Sequence, residues 1–436
     1  MKRRGIHSLN PTKNAKKAIL FALSRKGTSG RAQKVLNEMV DAAVAGEQQM
    51  PKRSYFIDLL VAWTKENNPV TAAKESEKLL RQMVDLARTG FPEIMPDSLS
   101  FLKVAQAWSR VRDKKAEDSV EALFRLMERL YNETGSSALK PTGKFMEIFV
   151  LTLCRSSHPD AARRAESVIC DMEKAYFAGD SGMKPSRGIY TNLMQALVRR
   201  KKTNPNEIQE IFDKMHVLYS EGHTEYRPDF MVYTALMDSW AQRGDPIKVQ
   251  AIFESMVDDF NGGNGAAKPD IHAFNMILKA WSFSDYPDRG QKAESILNHL
   301  AGVGNVSSLG LKPDAYTFVQ MIRIWCGSEA DDAAEKADFY LRSMVEMGFE
   351  ASFSLYYAVL RLWLKKDDIN TTQYAAALVE DILAGVQSKQ VQAPNSKAYR
   401  QFLETVGNSN IPRRNQQAQK LLSTVPERRV PRPLMP

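Results

Sequence analysis

Residues able to make or break bonds are few in this 436-residue chain, and their spacing assembles no reactive site. Cys154, Cys170 and Cys326 form no C-x-x-C pair, the six histidines include no H-E-x-x-H, and the one H-x-E, His223-Thr224-Glu225, has no cysteine pair to complete a zinc site. The ligand sets of zinc hydrolases and zinc deaminases are therefore missing. His216 and His223 flank a predicted helix end without further ligands. Cys154 and Cys170 fall on two neighbouring predicted helices and read as buried free thiols. Glu166 and Glu294 share an Ala-Glu-Ser context and read as solvated surface residues. There is no Gly-rich phosphate loop, nucleophile elbow or nuclease-type carboxylate cluster. The expectation is a chain with no catalytic residues, no metal and no cofactor.

Three cysteines cannot build a disulfide framework, which points to a reducing compartment. No apolar run approaches the ~20 residues of a membrane span. The net charge of +9 is unevenly placed. Residues 1–37 hold ten Lys/Arg and no acid, and residues 396–436 hold eight basic and two acidic residues. The body between them is mildly acidic, so net charge alone says little about nucleic acid.

The elements that must carry any function emerge from an internal repeat. All six tryptophans share one register. Trp63, Trp108, Trp240, Trp281 and Trp325 each lie twelve residues after a proline (Pro51, Pro96, Pro228, Pro269, Pro313), and Trp363 lies twelve after Ala351. Weaker copies put an aliphatic there, as at Pro141/Leu153 and Pro185/Leu197. With the second residue after the proline as position 1 and the Trp as position 11, repeats begin at residues 13, 53, 98, 143, 187, 230, 271, 315, 353 and 396. Positions 4, 7, 8 and 11 are mostly apolar, one face of a helix, here called helix A. A second periodic stretch follows, as in Lys292-Ala-Glu-Ser-Ile-Leu-Asn-His-Leu300, and is called helix B. A pair of this kind cannot bury both its faces alone, so neighbouring pairs must stack. The predicted fold is all-α, a right-handed superhelical α-solenoid of about ten helix–turn–helix repeats. Its expected organisation is a basic tail at 1–12, nine repeats over 13–395, and a terminal partial repeat with a basic Pro-rich tail over 396–436.

The pattern K/R-P-D-x-x-x-Y/F-N/T-x-L/M-I/M followed by A-x-x-[LIF]-[LF]-x-x-M resembles the pentatricopeptide repeat proteins, over residues 13 to about 420. Most copies are longer than the family's usual repeat, with extra residues between the helices and after helix B. Those insertions fall outside the Pro-to-Trp register. The resemblance implies single-stranded RNA binding at one base per repeat, read by two or three side chains. Position 5 of helix A and the residue after the closing proline are the reading residues this implies. Three consecutive repeats match: Thr191 with Asp229, Thr234 with Asp270, and Asn275 with Asp314. By the resemblance, Thr/Asp reads guanine and Asn/Asp reads uracil. Elsewhere position 5 is Lys17, Ile57, Leu102, Glu147, Val319 or Tyr357, so sequence preference is expected to concentrate mid-chain.

Charge supplies a second line. Positions 1–13 of the ten repeats together carry +14, against +9 for the whole chain, so positive charge is segregated onto helix A. Position 13 is basic in six repeats: Arg25, Lys65, Arg110, Arg155, Arg199 and Lys365. One cation per repeat suits a phosphate backbone with one charge per nucleotide. The competing explanation is that cations in the last turn of a helix complement its dipole. The sequence reading is thus a monomeric, non-catalytic RNA-binding solenoid acting in RNA processing, stabilisation or translation, with an RNA-processing or translation factor as a further partner. The alternative is a helical protein-interaction scaffold. The family's usual setting and the acid-free start, compatible with an import signal, point to the mitochondrion, with the plastid as alternative.

Overall fold

The computed structural model describes residues 28–200, 204–302 and 310–365, with isolated positions beyond. Helix A of the first repeat, including Lys17 and Arg25, and the terminal partial repeat with its tail lie outside the described residues. Among the described residues all regular structure is helical.

The described residues form two compact units, one of 28–200 with 217–226 and one of 204–216 with 227 onward. The first contains α1 (Ser29–Val44), α2 (Arg53–Thr64), α3 (Pro69–Arg88), α4 (Ser98–Trp108), α5 (Lys114–Thr134), α6 (Gly143–Arg155), α7 (Ala161–Phe177) and α8 (Arg187–Val198). The second contains most of α9 (Pro205–Ser220), then α10 (Phe230–Gln242), α11 (Pro246–Asn261), α12 (Ile271–Phe283), α13 (Arg289–Gly302), α14 (Ala315–Cys326), α15 (Ala333–Glu346) and α16 (Phe353–Trp363). Even-numbered helices are the predicted helices A and odd-numbered ones the helices B. Within each unit helix A packs on the next helix A, and each helix B that follows a helix A packs on both it and the next one. That is solenoid stacking, as the periodicity requires.

The Pro-Asp pair explains where helix A starts. Proline precedes the helix and the Asp side chain caps it. Asp97 accepts from the Ser100 amide at 2.9 Å, Asp270 from Ala273 at 2.9 Å and Asp314 from Thr317 at 2.8 Å. Asp229 accepts from both Met231 and Val232 at 3.1 Å. Each cap stabilises its helix by ~1 kcal/mol. Helix B uses the same device at Asn68 and Asp245, each followed by proline, which loses nothing in a first turn.

Position 11 is the core position, as expected. Trp63, Trp108, Trp281, Trp325 and Trp363 are buried, while Trp240 is only half-buried, with Lys248 over its ring. The indole N–H groups reach back to the preceding helix B: Trp63 donates to Gln33 at 3.0 Å, Trp108 to Glu77 at 2.9 Å and Trp240 to Gln209 at 3.4 Å. The residue 35 before each of Trp108, Trp240, Trp281 and Trp325 is Ala73, Pro205, Pro246 or Gly290. These side chains are short or absent, which leaves room for an indole.

The extra residues after helix B have a defined shape. Five connections carry a glycine six residues before the proline, then a 3-10 turn: Pro92–Ile94, Ser137–Leu139, Ser181–Met183, Thr224–Tyr226 and Gly265–Ala267. The glycine reverses the chain in the left-handed region, with φ of 122° at Gly90 and 101° at Gly179, where a side chain would be strained. The turn tucks an apolar residue inward: Ile94, Leu139, Tyr226 and Ala267 are buried. Ion pairs Lys140–Asp180 at 2.7 Å and Lys184–Glu225 link consecutive connections. The lengthened repeat is therefore packed, and it leaves the Asp cap in register.

Candidate nucleic-acid interface

At 100° per residue, positions 2, 5, 6, 9 and 13 of helix A share the face opposite the 4/7/8/11 core. Position 5 of each reading pair and the position-13 cations fall on it, while the reading Asp residues stand at the helix starts as N-caps. Among the reading positions, Asn275 and Asp314 are brought together. The Asn275 amide donates to Asp314 Oδ1 at 3.0 Å, and its Oδ1 accepts from the Thr317 hydroxyl at 2.8 Å. Thr317 also completes the α14 capping box with Asp314. Asn275 is 1% exposed, so its amide is fixed in orientation and keeps one N–H beyond the Asp314 bond.

Thr234 is also buried, and its hydroxyl donates to the backbone carbonyl of Phe230 at 2.8 Å, the usual resting bond of a threonine inside a helix. Its predicted partner Asp270 is exposed, one carboxylate oxygen capping α12. Thr191 is half-buried in the first unit and donates to Arg187 O at 3.2 Å. Asp229, in the second unit, caps α10.

The cations at position 13 have an unforeseen role. Arg110 donates to the Thr64 carbonyl at 2.6 Å, Arg155 to Ser109 at 3.0 Å and Arg199 to Cys154 at 2.7 Å. Each acceptor is position 12 of the preceding helix A. The dipole explanation placed such cations at the end of their own helix, where Arg155 and Arg199 do stand; their guanidinium groups also bond the end of the neighbouring helix A, and so staple successive repeats. All three guanidinium residues remain exposed, as do Lys65 and Lys365. A guanidinium has five N–H donors, so one carbonyl bond leaves donors for an anion.

Three features escaped the sequence reading. Position 2 presents exposed apolar side chains, Leu99, Met231 and Tyr316, beside the reading positions. Counting position 2 in register would have found them. Cys170 is exposed, not buried, because it lies on the outer face of α7. Glu294 is not a solvated residue: it accepts from Lys336 at 2.9 and 3.0 Å and from the Tyr340 hydroxyl at 3.1 Å, joining α13 to α15. Burial pushes the Cys154 and Cys326 thiols up to about 12, which leaves them protonated and poor nucleophiles at neutral pH. Among the described residues no group of three or more His, Cys, Asp or Glu could hold a metal ion, and no helix is long and apolar enough to cross a membrane.

The geometry defines a helical-repeat protein whose helix-A faces carry its polar and cationic side chains. No protein-family profile matches the sequence, and no curated protein matches it. Among solved structures it is similar to the pentatricopeptide repeat protein PPR10 in complex with an 18-nt psaJ RNA element, at 15% identity and a TM-score of 0.47. A cysteine-to-serine variant of PPR10 with the same RNA element gives the same values. The match covers 88% of this chain and 47% of PPR10, so the chain spans about half the length of that protein.

Proposed function

We propose that this chain binds single-stranded RNA along its helix-A faces, with sequence preference from the middle repeats and without catalysis. The observation that carries the reading is the arginine row of the first unit. Arg110, Arg155 and Arg199 recur at one position of three successive helices, are exposed, and share a face with the reading positions. Hydrogen-bonded, evenly repeated guanidinium groups suit a polymer with one charge per monomer better than a compact anion. The exposed apolar groups at position 2 offer contact to base faces, which are sequence-tolerant stacking partners. In the cell the protein would occupy an organellar transcript and act in processing, stabilisation or translation. The mitochondrion is the proposed compartment and the plastid its alternative, a choice that imaging of a fluorescent fusion decides.

The test is equilibrium binding of labelled single-stranded RNA across a salt series. Six position-13 cations, each meeting one phosphate, contribute roughly −4 to the slope of log K against log salt, at ~0.7 per contact. Arg155→Gln with Arg199→Gln should flatten it by about 1.4 and weaken all sequences alike. An unchanged slope would confine these arginines to stapling repeats, and absence of binding at low salt would favour the protein scaffold.

A further inference from the structure

The arginine row of the first unit has no continuation at position 13 of α10, α12 and α14, where Gln242, Phe283 and Gly327 stand. Positive charge moves one turn earlier, to position 9: Lys279 on α12, Arg323 on α14 and Arg361 on α16. Positions 9 and 13 are about 40° apart around a helix, so the charge stays on the same face. Each of these cations follows position 5 of its own helix by four residues, one turn beyond Asn275, Val319 and Tyr357.

Their surroundings differ from those in the first unit. Arg323 and Arg361 are exposed, and neither side chain makes a hydrogen bond or ion pair among the described residues. The first-unit arginines already give an N–H to a carbonyl; these two have all their donors available. Lys279 pairs with Asp238, the one acid at position 9 of this unit's described helices A, with side chains 20% and 24% exposed. That pairing neutralises the carboxylate that would repel a polyanion. Arg361 and Lys365 lie four apart on one wall of a recess of about 170 Å³, whose other lining residues are Cys326, Ala358 and Leu362. Two cations one helical turn apart beside a small recess suit a phosphodiester, whose charge both can meet.

We propose that Arg323 and Arg361 form a second row of phosphodiester contacts for single-stranded RNA, on the unit that holds Thr234/Asp270 and Asn275/Asp314, with Lys279 serving to neutralise Asp238 on the same face. This rests on the RNA-binding reading above and extends it to residues outside the position-13 series. The opposing explanation is that Arg323 and Arg361 only complement the dipoles of α14 and α16, whose last turns they occupy. That explanation predicts an effect on stability and none on salt dependence.

The experiment compares the full chain with Arg323→Gln/Arg361→Gln on labelled single-stranded RNA, from low to moderate salt, with circular dichroism confirming the fold. Two lost contacts should flatten the slope by about 1.4, which at 0.1 M salt is a loss of about 25-fold if the 1 M intercept is unchanged. Matched and mismatched RNAs should lose equally. Arg323→Lys/Arg361→Lys keeps both charges and should restore the slope. A parental slope in the Gln variant, alongside a flattened slope in Arg155→Gln/Arg199→Gln, would overturn the second row and leave RNA binding intact. Failure of the parent itself to bind would overturn both.

Discussion

Gly290 sits in the first turn of α13, where a Cβ would meet three ring atoms of Trp325 at 2.7, 2.8 and 2.8 Å. Carbon atoms in contact settle at ~3.5–4.0 Å, so Gly290→Ala forces a separation of nearly an ångström. Trp325 is fully buried and its ring is rigid, so α13 and α14 must move apart. Overpacking of this kind costs ~1–3 kcal/mol. Alanine recovers at most ~1 kcal/mol over glycine in a helix, and less in a first turn where backbone N–H groups are unpaired anyway. The net expectation is a loss of ~1–2 kcal/mol.

Trp325→Leu should relieve the clash, since Leu153 and Leu197 already occupy position 11 elsewhere. Alone it leaves a cavity and costs ~2–4 kcal/mol, scaled down from the ~3–5 of a truncation to Ala. It sacrifices no hydrogen bond, because the Trp325 Nε1 is buried without a partner among the described residues. In the double variant the methyl introduced by Gly290→Ala fills part of that cavity, so the two losses should fall short of additivity by about 1 kcal/mol or more. Urea unfolding of the four proteins measures the cycle. Additive losses, or a Gly290→Ala protein more stable than the parent, would refute this helix contact.

Asp314→Ala removes both the α14 cap and the Asn275 acceptor and should cost ~1.5–2.5 kcal/mol, at about 1 for each, with faster amide exchange confined to the first turn of α14. Asp314→Asn retains the cap and should lose much less. Burial pushes the Tyr226 and Tyr233 hydroxyls up to about 12, against ~10 for a free tyrosine. Raised pKa values mean that the folded state keeps protons the unfolded chain releases. These residues therefore contribute stability below about pH 10 that is lost as pH rises toward 12. Tyrosinate absorbance should show these groups titrating after the rest, together with loss of helical signal; a single early titration would contradict their burial.

The repeat frame was legible because two strong physical demands recur at fixed spacing. A helix start needs a cap, which Pro-Asp provides, and a layer of stacked helices needs one bulky core residue, which Trp provides. The glycine-led turns were visible only as extra length, since a 3-10 turn lacks an apolar period; the Gly at six before Pro was its available signal. The site was half legible. Asn275 and Asp314 do meet, and no spacing rule could have supplied the third partner, Thr317, which comes from the following helix. The arginine row was seen as charge, but its carbonyl bonds depend on the distance between neighbouring helix ends, which a single helix wheel does not contain. Cys170 and Glu294 were misjudged for one reason: whether a helix-B residue faces out or toward its neighbour depends on how the pairs stack.

Selection from a random single-stranded RNA pool, with the parent and Thr234→Asn side by side, tests the central reading most directly. If the chain lies parallel to its RNA, Thr191/Asp229, Thr234/Asp270 and Asn275/Asp314 select GGU, and each wrong base costs ~1–3 kcal/mol, on the scale of a mismatch in protein–DNA sites. Thr234→Asn gives the central repeat the Asn/Asp pair of its neighbour and should shift the enriched triplet to GUU. Equal enrichment of every sequence by both proteins would contradict base reading, and recovery of no RNA at low salt would contradict RNA binding itself.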